Sequence, residues 1–175
     1  GAYTFNDHVT LRNAGASSQG IEFIGAVSVD VNNLTLNTTG SVTQTSGSSI
    51  TAAGLQLLGS GASYVLTDSA NAITTLAGST GSVSFLENSG FAIGTVGTVT
   101  SSVGLTTTGN LTLSSTGNVT QSNLMSAAGL ELLGSTGAYT LTNTSNSITT
   151  LAANTGSLSL LENSGFTVGT VNTVG

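Results

Sequence analysis

The chain has 175 residues, 38% of them hydrophobic and only 5% charged; seven carboxylates face one basic residue, Arg12, for a net charge of −6. Such a chain cannot neutralise a phosphate backbone or hold to an anionic membrane surface, which excludes nucleic acid as a partner. It contains no Cys, Pro or Trp, so neither a disulfide scaffold nor a thiolate metal site is available to it.

The opening residues "GAYTFND" read as mid-strand material without a charged leader or cleavage signal, and the chain is expected to be a fragment of a longer repetitive protein. Mean hydropathy is positive (+0.32). Val, Leu and Ile alternate with Ser, Thr and Asn, β-branched residues are frequent and Lys, Arg and Met are nearly missing, which predicts an all-β chain. No apolar run approaches the ~20 residues that span a bilayer. His8 and Arg12 in "DHVTLRN" stand alone, and a His with no partner in sequence reads as a surface residue, not a metal ligand.

From Leu34 onward one unit is written twice, as residues 34–99 and 111–174. "LTLNTTGSVTQ" returns as "LTLSSTGNVTQ" 77 positions later, and "AAGLQLLGS" returns as "AAGLELLGS" 75 later. "SFLENSGFAIGTV" returns as "SLLENSGFTVGTV". Across the copies Val83/Leu158, Phe85/Leu160 and Ile93/Val168 stay apolar, whereas Gln56/Glu131, Val65/Thr140 and Ala92/Thr167 drift. Strict and loose positions alternate as they do in strands with one buried face. Leu55/Leu57, Tyr64/Leu66, Val83/Phe85, Phe91/Ile93 and their second-copy counterparts are therefore expected to point inward, with Glu131 outward. On this reading Leu132→Asp collapses the local coils and Glu131→Lys hardly matters.

Turn signals fall between the strands at Glu87–Gly90, Thr108–Asn110, Thr116–Asn118 and Gly134–Gly137. Val83 and Val103, Phe91 and Leu111, Ile93 and Leu113, and Val99 and Val119 are each twenty apart across the boundary between copies. The pattern predicts residues 1–175 as one continuous, single-stranded, right-handed parallel β-helix of about nine coils of roughly twenty residues. The repeated unit is expected to hold a whole number of coils, about four. A pair of β-sandwiches would need antiparallel hairpins instead.

"GNLTLSSTGNVTQS" followed by "AAGLELLGSTGAYTLTNTSNSITTLAANTGSLSLLENSGFTVGTV" resembles the repeat region of filamentous-haemagglutinin-like exoproteins, the secreted passengers of bacterial two-partner secretion systems. The resemblance covers most of Leu34–Gly175. It implies a structural shaft, secreted or on the outer-membrane surface of a Gram-negative bacterium, serving adhesion, biofilm cohesion or fibre formation. It also implies export through an outer-membrane barrel transporter. Carbohydrate or host-surface ligands are expected partners, together with further coils of the same chain or end-to-end self-association through open strand edges.

Some parallel β-helices degrade polysaccharides, and that enzyme class is the rival. Asp68 and Glu87 are nineteen apart and could stack on adjacent coils, but Asn143 replaces Asp68 in the second copy while Glu162 keeps the place of Glu87. A positioned acid–base pair is therefore not expected. Glu87 and Glu162 in "LENSG" lack the oxygen-rich surroundings that calcium requires and read as turn residues facing water, beside Asn and Gly at positive φ. Asn71 and Asn146 read as coil-corner residues whose amides bond exposed backbone or a stacked polar neighbour. The Asn-x-Ser/Thr triplets at Asn33, Asn37, Asn110, Asn118 and Asn143 follow from composition. Thr95/Thr98 pairs do not recur in the regular rows that an ice-binding face needs. No catalytic, cofactor-binding or metal-binding residue is expected, and no cofactor.

Overall fold

The structure, a computed structural model, describes residues 2–13, 20–97 and 104–173. Val99, Val103 and Thr98 of the spacing arguments lie outside the described residues. Among the described residues there are fourteen strands and no helix, joined in one sheet in which every pairing is parallel. Sequence-distant parallel strands in a single unbroken sheet define a β-solenoid.

One column of inward side chains follows the winding from end to end. Ile21 lies beside Val42, then come Tyr64, Val83, Leu111, Leu130, Leu151 and Val168. Seven steps make about seven turns, roughly 34 Å of rod at ~4.8 Å per turn. The expected nine coils are thus too many. The steps are uneven: Val9 to Leu34 takes 25 residues, Leu76 to Ile93 takes 17 and Val83 to Leu111 takes 28.

Each turn has three sides. Along the strand Ile50–Leu66, residues 50–52 pair with 27–30, residues 54–58 with 33–37, and residues 63–65 with 41–43. The register slips at the corners between these runs. The corner after Leu58 needs glycine. Gly59 has φ +128°, and a Cβ there would strike the carbonyl of Thr38; Gly134 repeats this against Ser115 with φ +122°.

One hydrophobic core runs from Phe23 to Leu151 through both copies. Leu55, Leu57, Tyr64, Leu66, Val83, Phe85, Phe91 and Ile93 are buried in it, as are Leu130, Leu132, Tyr139 and Leu141. Phe85 and Phe91 meet edge to face with centroids 5.3 Å apart, a favoured aromatic geometry. A shared core and parallel pairing leave no room for two sandwiches.

The last coil departs from expectation. Leu158 and Leu160 are only half-buried, while Phe166 is 40% and Val168 77% exposed. They carry the same inward pattern as Val83, Phe85, Phe91 and Ile93, but those four lie beneath Leu111, Leu113, Val119 and Gln121. No described residue covers the later set.

The junction between the copies also differs from the expected twenty-residue beat. Val83 pairs with Leu111 and Phe91 with Val119, both 28 residues on. Leu34, Leu55, Leu76 and Ile93 occupy one side over three turns. Their counterparts Leu111, Leu130, Leu151 and Val168 stand instead on the next side, in line with Tyr64 and Val83. The repeat is therefore three turns plus one side, not a whole number of coils. On a three-sided winding a unit can end at any corner, because inward and outward alternation is kept on every side.

Candidate functional site

Three groups of polar residues recur in both copies, at the corners and on an outer face of each copy. The first is a buried amide pair. Asn71 and Asn146 stand at the corner where one long strand gives way to the next, and both are buried. Asn71 Oδ1 accepts from Ile50 N and from Gln44 Nε2, each at 2.8 Å, while its Nδ2 donates to Gln44 Oε1 at 3.1 Å. The same Nδ2 lies 3.2 Å from the Leu66 carbonyl and 3.1 Å from that of Leu86. Asn146 repeats the arrangement with Gln121, Met125, Leu141 and Leu161. The expected corner position is correct, and Gln44 and Gln121 are the stacked polar neighbours; the backbone groups that the amides also satisfy are buried, not exposed, and an unpaired carbonyl there would be costly. The partners Gln44 and Gln121 close "SVTQ" and "NVTQ", and that shared final Gln is the signal in the sequence.

The turn carboxylates form the second group. Glu87 is buried, contrary to the expectation that it faces water. It accepts from Ser89 N at 3.0 Å, Gly90 N at 2.7 Å and the Ser89 hydroxyl. The positive φ belongs to glycine alone, at Gly90 and Gly165. Glu162, on the bare last coil, takes the amides of Ile148, Ser164 and Gly165 and the Ser164 hydroxyl. Lost solvation pulls its pKa up, but these hydrogen bonds outweigh that pull and hold it below the ordinary carboxylate value. Asp68 serves its own turn and the one beneath, through Ala70 N at 2.9 Å and Gly47 N at 2.6 Å. The turns of Asp68 and Glu87 do stack, since Asn88 Nδ2 reaches Ser69 O at 3.3 Å. Each carboxylate is nevertheless engaged with backbone amides, a structural use.

A strap makes the third group. After Ile93 residues 94–97 turn off the winding, and Gly104 N donates to Gly94 O at 3.0 Å where the ladder resumes. Val96 is buried against Gly54, and Gly97 lines one groove with His8, Thr35 and Gln56. The strap thus runs lengthwise over several turns. In the second copy Val171 lies on Gly129, and Asn172 joins Asn110 and Thr112 at 2.8 Å each.

Beneath each strap sits the residue expected to face solvent. Gln56 and Glu131 are 2% and 1% exposed. Gln56 Oε1 accepts from Thr35 Oγ1 at 2.9 Å, and its Nε2 donates to Val96 O at 3.3 Å. Glu131 Oε2 accepts from Thr112 Oγ1 at 2.8 Å, and Oε1 accepts from Thr173 N at 2.8 Å and Thr173 Oγ1 at 2.7 Å. The prediction that Glu131→Lys hardly matters therefore does not stand.

His8 is exposed and accepts at Nδ1 from Asn33 N at 2.9 Å, a backbone partner missed in the sequence; Arg12 is also exposed. Among the described residues no three His, Asp or Glu side chains gather as metal ligands would.

A three-sided parallel β-solenoid with a duplicated strap and corner set defines a repeat protein. The chain belongs to the family described as repeats of unknown function (DUF5649), which matches residues 6–80 and 81–155. These matches begin 75 residues apart, the spacing that separates the later parts of the two copies, in another frame. Neither the curated proteins nor the solved structures include a significant match to the chain.

Proposed function

We propose that this chain is a length of structural shaft from a large bacterial exoprotein, without catalysis, secreted or held on a Gram-negative outer surface and exported through a barrel transporter. Its role is to set distance and rigidity for adhesion, biofilm cohesion or fibre formation. One observation carries the reading: a single parallel ladder and a single core pass through both copies without a break among residues 20–97 and 104–173. In such a body each turn is stabilised by its neighbours, so stability accumulates along the axis and needs no metal or disulfide. The polar sets described above serve turns, corners and a strap, which suits a mechanical part. We assign the winding as right-handed, because parallel crossovers overwhelmingly take that hand.

The test is made on intact cells of the source bacterium. Antibody raised against the folded chain is expected to label unbroken cells or shed fibres, and external protease to remove the label. Signal appearing only after lysis would overturn the surface assignment.

A further inference from the structure

We propose that the bare coil at Leu158–Val168 is a docking face for another copy of the same repeat, seated one side further round the winding. The proposal rests on the reading of the chain as part of a longer stack, though not on where the stack is located.

One junction recurs along the chain. At the first, Val9 pairs with Leu34, Leu11 with Leu36 and Ile21 with Val42. At the second, Val83 pairs with Leu111, Phe85 with Leu113 and Phe91 with Val119. Each time a Leu-Thr-Leu strand followed by a Val-Thr-Gln strand roofs two apolar strands that end the preceding unit. The third set of apolar strands is present as Leu158/Leu160 and Phe166/Val168, with Phe166 and Val168 exposed. Its sequence keeps the second set's apolar pattern and its LENSG turn, and parallel strands along it offer open backbone groups in the same direction. A Leu-Thr-Leu strand placed there would bury what Leu111–Val119 bury at Val83–Ile93.

The register follows. The incoming counterpart of Thr112 belongs beside Ser159, as Thr112 stands beside Ser84. Stacking without the side step would instead continue the column Asn110, Gly129, Thr150, Thr167, and put the counterpart of Asn110 on Thr167.

The experiment extends the full chain by a second run of residues 101–175 and reads disulfide formation between facing positions on adjacent turns. Ser159→Cys with Thr112→Cys in the appended run is expected to oxidise as completely as the internal control, Ser84→Cys with Thr112→Cys. Thr167→Cys with Asn110→Cys in the appended run is expected to stay reduced. Amide exchange at 158–168 supplies a second readout, expected to slow about a hundredfold on extension. Cross-linking through Thr167 would overturn the side step while leaving the shaft reading standing. No cross-link and no added protection would overturn the docking face itself.

Discussion

Glu131 illustrates how one carboxylate can be both outward and buried. Its neighbours Leu130 and Leu132 fill the core, so its side chain leaves the winding and meets the strap, where three donors from Thr112 and Thr173 meet it. Lysine at this position would bring a second set of donors to those already there. Glu131→Lys is expected to cost about 3 kcal/mol or more. Glu131→Gln should cost about 1 kcal/mol or less, since Gln56 holds the equivalent place under the other strap. Denaturant midpoints of the two variants check this, and similar values would refute it. Tyr64 and Tyr139 give a pH prediction. The hydroxyl of Tyr139 donates to Leu113 O at 3.0 Å and Leu133 O at 2.7 Å, and that of Tyr64 to Leu36 O at 2.9 Å and Leu58 O at 2.6 Å. Burial pushes both phenols up to about 12, with backbone hydrogen bonds offsetting part of the rise. The folded state holds these protons more tightly than the unfolded chain, whose tyrosines titrate near ~10. Stability from this source is complete below about pH 10 and is lost as pH rises toward 12. Denaturation midpoints should fall across that window together with the rise of tyrosinate absorbance, and the fall should be smaller in Tyr139→Phe.

At the scale of elements, the strap depends on a glycine in the strand beneath it. A Cβ at Gly129 would sit 2.6 Å from Asn110 Oδ1 and 3.0 Å from Val171 Cγ1. Gly129→Val is therefore expected to lift residues 169–173 and wet Glu131 while the inward ladder persists. Faster amide exchange at Thr173, with exchange at Leu130 and Leu132 unchanged, is the expected result; an unmoved Thr173 would count against the strap. This element also marks the limit of what could be read in advance. Alternation identified Leu55, Leu57, Leu130 and Leu132 as inward, because pleating is local. It could not show that Gln56 and Glu131 are roofed, since the roof comes from residues some forty positions away. The signal was present in "AAGL", where a glycine inside both copies of a strand marks close approach by another part of the chain, and in the twice-written "GTV" that supplies Val96 and Val171.

At the scale of the molecule, the class of fold was legible and the winding number was not. Repetition and period-two patterning point to a solenoid, but every side of the section has the same alternation, so nothing in the pattern tells one side from the next. Ile93 and Leu105 stand along the same side, so the residues numbered between them lengthen the spacing without adding a turn, and an apparent beat of twenty gives way to a step of 28. That side step has a consequence for anything approaching from the flank. Each further copy would present its strap rotated by a third of a circle, so ten turns, about 48 Å, must pass before the same patch faces the same direction again. A flat partner lying alongside meets identical contacts at that long interval only. Sideways bundling of such rods is then governed by a slow spiral of patches, and neighbouring rods must match phase as well as surface.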